Sequence, residues 1–123
     1  MATESPAPGA TLKVYKGIRG ADGIAYVYVS EAGRPDHLLS PRTDLFTRSS
    51  AGLDWGYYGN GPAQCALAIV ADALGDDLRA VRVHSGFHFR TIAALPRHLS
   101  WQLTQAQVLA IVEDIEQNFP EED

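Results

Sequence analysis

Apolar and polar positions alternate at the start of the chain. Leu12, Val14 and Lys16 fall on one side of an extended segment and Lys13, Tyr15 and Gly17 on the other. Ile24–Val29 reads IAYVYV, rich in β-branched and aromatic residues, and Arg19-Gly20-Ala21-Asp22-Gly23 lies between the two runs. Two such runs around a Gly/Asp turn predict a β-hairpin. A second turn, Glu31-Ala32-Gly33-Arg34-Pro35, precedes His37-Leu38-Leu39, a short third strand at most, which Pro41 restricts to a sheet edge.

The period then changes. Ala63–Leu74, AQCALAIVADAL, is interrupted only by Gln64 and Asp72. Such a segment predicts a helix buried on all sides, opened by Gly61-Pro62 and closed by Gly75. Asp76-Asp77 begin a second helix, on which Leu78, Val81, Ser85, His88 and Ile92 recur at helical spacing until Pro96. Gly86 weakens that helix by about 1 kcal/mol relative to Ala, which makes a break near it compatible with the pattern. Leu99–Leu103 reads as a connector carrying Trp101. Thr104 and Gln107 match a capping box, and Val108, Leu109, Ile111, Val112, Ile115 and Phe119 form the stripe of a third helix that Pro120 stops. The expectation is two to three antiparallel strands within 12–40 and helices near 62–74, 77–95 and 104–118. Strands that precede helices indicate an α+β fold, with three helices packed on one face of a small sheet. Residues 1–11, small and Pro-containing, are expected to be a disordered leader, 12–119 a single domain and 120–123 an acidic tail.

Composition narrows the classes. A chain of 123 residues is one domain, and 46% apolar with 20% charged residues is globular rather than disordered. The longest apolar run, Cys65–Ala71, is too short to span a membrane. One cysteine excludes an intrachain disulfide. A net charge of −5 argues against a nucleic-acid or membrane-surface binder. The deficit lies entirely in residues 61–123, which hold four bases and nine acids. No basic stretch followed by an apolar core opens the chain, so the expected compartment is the cytoplasm.

The most unusual stretch is residues 40–62, SPRTDLFTRSSAGLDWGYYGNGP. A loop of that length in a compact domain is usually functional, and at least two of Trp55, Tyr57 and Tyr58 are expected to pack back on the domain. Gly56, Gly59 and Gly61 lead, with Asn60, into a helix N-terminus, a place where free N–H groups favour an anion. The G-x-x-G-x-G order matches neither common phosphate-binding pattern. Arg42, Asp44 and Asp54 are expected to form an Arg–carboxylate group that pins the loop. Gln64 and Asp72 are expected to share a polar niche, with Arg42 or Arg90 as partner of Asp72.

Tyr15-Lys16-Gly17, Arg42-x-Asp44-Leu45 and above all Trp55-Gly56-Tyr57-x-Gly59-x-Gly61-Pro62-Ala63-Gln64-x-Ala66-Leu67-Ala68-Ile69 resemble a family of small bacterial, archaeal and phage domains of unknown function. The resemblance runs over about residues 13–117, and the W-G-Y-x-G-x-G-P-A-Q core is its specific part. It implies that the Gly-aromatic loop is the family's hallmark and that members often sit in phage-like or mobile-element settings. It implies no activity.

His84 and His88, four apart in H-S-G-F-H, share a helix face, the spacing of two metal-ligating imidazoles. A third ligand would have to come from His98 or from Glu113, Asp114 or Glu116 on other elements, so no metal and no cofactor is expected. Cys65 on the apolar helix reads as a core residue. No acid, base and nucleophile set stands out, which leaves enzymatic activity open. The leading expectation is an accessory module that binds a protein partner, or itself, through Arg42, Asp54, Trp55, Tyr57, Tyr58, Gly59, Asn60, Gly61 and Gln64. The alternative is a small-ligand or anion site at the Gly-rich helix start.

Overall fold

A computed structural model describes residues 13–118; the expected leader and tail, and Phe119, lie outside the described residues. Strands β1 (Lys13–Arg19) and β2 (Ala25–Glu31) form the expected hairpin. β3 (Arg34–Leu38) follows through a two-residue turn, Ala32-Gly33, in which Gly33 takes φ 79°. Arg34 and Pro35, read from sequence as turn, are therefore strand residues. Pro35 is tolerated because β3 is an edge, where a missing N–H breaks no inner ladder.

The antiparallel sheet has four strands in the order β3-β2-β1-β4, one more than expected. The extra one, β4 (Trp101–Thr104), arises where the sequence suggested a connector. It pairs with β1 so that Trp101 lies opposite Gly17. A Cβ on Gly17 would come 2.1 Å from the indole, so the glycine makes room for the ring that covers it.

Helix α1 (Asn60–Leu74) starts after Gly59, two residues before Pro62, and ends at Gly75 in the left-handed conformation, φ 64°. It is buried from Pro62 to Ala71, as its composition demands. Helix α2 (Asp77–Phe87) is capped by Asp76, whose side chain accepts from the Arg79 N–H. It passes directly into a π-helical turn, His88–Ile92, so the expected continuous helix to residue 95 is broken just beyond Gly86. Helix α3 (Gln105–Asn118) begins at the predicted capping box: the Thr104 N–H donates to Gln107 Oε1 at 2.8 Å, and the Gln107 N–H to Thr104 Oγ1 at 3.0 Å.

Tyr15, Val27 and Val29 on the inner sheet face share one core with α1, α2, the π turn and α3. Ile18 and Leu38, on the other face, remain exposed. Asp72 does not pair with Arg42 or Arg90. It accepts from the Tyr15 hydroxyl at 2.7 Å and from Lys13 at 3.1 Å, tying α1 to β1. Nor does it share a niche with Gln64. Eight residues separate the two, about 12 Å along the helix axis, and Gln64 faces the long loop instead.

Candidate functional site

Residues 39–59 contain neither helix nor strand, so their backbone needs partners from side chains. Gln64, fully buried on α1, supplies four of them. Its Oε1 accepts from the N–H groups of Arg48 at 2.5 Å and Ser49 at 3.0 Å, and its Nε2 donates to the carbonyls of Pro41 at 2.7 Å and Phe46 at 3.1 Å. Four bonds use the capacity of a primary amide as donor and acceptor.

The expected Arg42–Asp44–Asp54 group divides in two. Arg42, at φ 54°, pairs with Asp44 at 3.0 and 3.1 Å and with Asp77 in the first turn of α2 at 3.1 Å. Asp54 belongs to Arg19 of β1, 2.8 Å away. The hairpin end thus reaches the loop, a long-range pairing with no local signal in the sequence.

Around Asp54 the W-G-Y segment folds into a tight knot. Asp54 also accepts from the Trp55 N–H at 2.9 Å and the Tyr57 hydroxyl at 2.8 Å. Burial acts to raise its pKa, but the bonds from Arg19, Tyr57 and Trp55 outweigh it, so the carboxyl lies below its ordinary value. Trp55 is fully buried, edge-on to Trp101 at 5.3 Å, with the Arg19 guanidinium 4.8 Å from its ring centroid. Gly56, at φ 89°, leaves no room for a side chain: a Cβ would sit 2.6 Å from Arg97 Cα. Arg97 in turn stacks on the half-buried Tyr57, 4.5 Å from its centroid. Asp54 and Tyr57 pack directly against Gly61, so this chain's own side chains cover that part of the helix start, while Asn60 is exposed.

The outward face of the loop is Tyr58, 67% exposed. It stacks on Phe89, 65% exposed, with centroids 5.4 Å apart, and meets His88 edge-on at 6.0 Å. Phe89 is presented by the π turn, an irregularity frequent at functional positions. Beside it, Ser85, Gly86, Phe89, Arg90 and Ile115 line an apolar groove of about 380 Å³ between α2 and α3. Gly86 lets the helices meet closely, since a Cβ there would be 3.1 Å from Ile115. Sequence reasoning missed Phe89; the only signal was an aromatic off the apolar stripe of its helix.

His84 and His88 lie next to Tyr58 and Phe46. His84, 3% exposed, has Phe46 edge-on at 6.0 Å, and its Nδ1 is 2.7 Å from the Val81 carbonyl. Burial lowers its pKa, the Val81 bond opposes this, and Arg48 and His88 add to the lowering. His88 is likewise lowered by burial, against a bond to the Tyr57 carbonyl, and further by Arg48. The Nε2 atoms of both rings and Nε of Arg48 are buried with no hydrogen-bond partner. Among the described residues no group of three or more His, Cys, Asp or Glu gathers as a metal site. Cys65 is buried, and burial with the nearby Asp54 charge pushes its thiol pKa up, the wrong direction for a nucleophile.

Among the described residues no helix is long and apolar enough to cross a membrane. A family model described as a family of unknown function, DUF6166, matches residues 15–114. No curated protein and no solved structure matches the chain.

Proposed function

The chain belongs to the DUF6166 family of unknown function, and from the geometry of its loop we propose that it is a non-enzymatic protein-interaction module. The partner docks on Tyr58, Phe89 and the adjoining α2–α3 groove. One observation carries this reading: two large aromatic rings from different segments stack on each other in solvent, beside an apolar groove. Aromatic residues dominate interface hot spots, and neither ring is needed to close the core. The rest of the Gly-aromatic loop supports the display. Trp55 anchors it, while Asp54, Tyr57 and Arg97 stiffen it, so that Tyr58 is held out at little entropic cost.

The groove suits an apolar side chain of a partner helix. The charges around it are already matched: Glu116 of α3 pairs with Arg79 of α2, and Asp114 with Arg90 of the π turn. The expected partner is therefore a protein segment with an apolar anchor. The alternative reading, an anion at the start of α1, has weaker support, because Asp54 and Tyr57 pack against Gly61 there.

The test is site-specific photo-crosslinking in the source cells, with the reactive residue at position 58 and, as control, at position 16 on the other sheet face. One predominant protein captured at position 58 alone, and lost with Phe89→Ala, supports the reading. Tyr58→Ala should melt within about 0.5 kcal/mol of the parent, as surface changes do. Equal capture at both positions refutes the reading, as does unfolding of Tyr58→Ala.

A further inference from the structure

We propose that Arg48, His84 and His88 form a binding site for a small oxyanion of the phosphate or carboxylate class, roofed by Tyr58. This site adjoins the docking surface and shares Tyr58 with it, but its donor atoms and its test are its own. The observation is a set of orphans. Nε of Arg48 and Nε2 of both histidines are buried, and none has a hydrogen-bond partner. Buried polar atoms are nearly always partnered, so three in one neighbourhood call for an occupant.

Their chemistry states which occupant. His84 Nδ1 donates to the Val81 carbonyl, and the His88 ring is bonded to the Tyr57 carbonyl. Both rings are thereby oriented, and each keeps Nε2 for the site. Protonation at Nε2 turns each into a donor, beside an arginine that is always charged. The charged groups acting on His84 are Arg48 and His88, and on His88 Arg48; no carboxylate from α2, the π turn or the loop opposes them. A cluster of one permanent and two conditional cations with no counter-charge disfavours a metal ion and favours an anion. An oxyanion offers several acceptor oxygens to the three N–H donors in charge-assisted bonds. The buried Gln64 amide serves as a positioning group, because its Oε1 holds the Arg48 and Ser49 N–H groups. Tyr58, two-thirds exposed and edge-on to His88, is the side chain that moves to admit the ligand.

Binding an anion to protonated imidazoles takes up protons, so affinity falls as pH rises through the histidine titration. The experiment follows the His84 and His88 ring signals of the full chain by NMR between pH 5 and 8, at constant ionic strength, in inorganic phosphate, acetate or chloride. His37 and His98, both exposed, serve as internal controls. The expected result is that phosphate or acetate, unlike chloride, raises the midpoints of His84 and His88 together by about half a pH unit or more, with the controls unmoved. Response to phosphate alone or acetate alone identifies the class. Arg48→Met should weaken the responding anion by about tenfold or more without unfolding the chain, and Arg48→Lys should restore part of it. Midpoints that are the same in all three salts overturn the proposal and leave a bridging water, which can accept from Arg48 and donate to both rings. A response retained in Arg48→Met overturns it as well.

Discussion

Replacing Gln64 by Leu tests whether this residue, one of the candidate binding residues, serves the fold or a ligand. The leucine fills a similar volume and keeps the site apolar, but four bonds are lost: to the N–H groups of Arg48 and Ser49 and the carbonyls of Pro41 and Phe46. Each such bond contributes about 0.5–1.5 kcal/mol net. The loop groups can turn back to water when released, which places the expected loss at about 2–4 kcal/mol, in the lower part of that range taken four times. That is a large share of the ~5–15 kcal/mol of an ordinary domain. Urea unfolding should show a lower midpoint with an unchanged slope, since the same surface is exposed on unfolding. The amides of Arg48 and Ser49 should lose their protection from hydrogen exchange. Gln64→Glu adds a directional control. An ionised carboxylate still accepts from the two N–H groups but repels the Pro41 and Phe46 carbonyls, so that variant should recover stability as pH falls and the acid regains a donor. A loss below about 1 kcal/mol in Gln64→Leu, with both amides still protected, would refute the clamp.

Gly17→Ala should destabilise by about 1–3 kcal/mol through overpacking against Trp101, measured by thermal melting; an unchanged melt would mean that the ring does not cover the strand. Arg19→Ala should cost about 1.5–3 kcal/mol, since it breaks bonds to Asp54 and to the Arg97 and Gly23 carbonyls. Arg42→Ala, whose partners Asp44 and Asp77 are solvent-facing, should cost less; the reverse order in denaturant titrations would contradict the two-group arrangement. His84 and His88 have folded pKa values below their ordinary one, so the unfolded chain binds more protons. Their contribution to stability is complete above about pH 6.5 and is lost as pH falls toward the folded values; a loss that persists unchanged in the His84→Gln, His88→Gln double variant would assign it elsewhere. Elemental analysis of protein purified without a polyhistidine tag should find zinc, nickel and iron well below one equivalent, and one tight equivalent lost in His84→Ala would reverse the assignment of the histidine pair.

Local patterns carried much of the architecture. The hairpin, the buried α1, the closing Gly75 and the Thr104–Gln107 box were all legible, because each depends on periodicity or on chemistry within a few residues. So was the packing of at least two of Trp55, Tyr57 and Tyr58 against the domain: large aromatic rings in a Gly-rich loop need apolar cover, and Trp55 is buried and Tyr57 half-buried.

What the sequence left open has one physical origin, contact across distance in the chain. β4 is four residues of weak pattern that become a strand because β1 offers Gly17 and a free edge. The partners of Asp54 and Asp72 come from β1, tens of residues away, and no local spacing selects Arg19 over Arg42 or Tyr15 over Arg90. The π turn is the same case on a smaller scale. Helical spacing runs through His88–Ile92, and its altered hydrogen bonding turns Phe89 out to meet Tyr58. Sequence alone determined the hairpin, the three helices and the long loop between them, because backbone propensity and burial are local demands. The tertiary structure alone decided which charges pair, which aromatics meet in solvent and which polar atoms are left without partners, because those depend on which distant segments the shared core brings together.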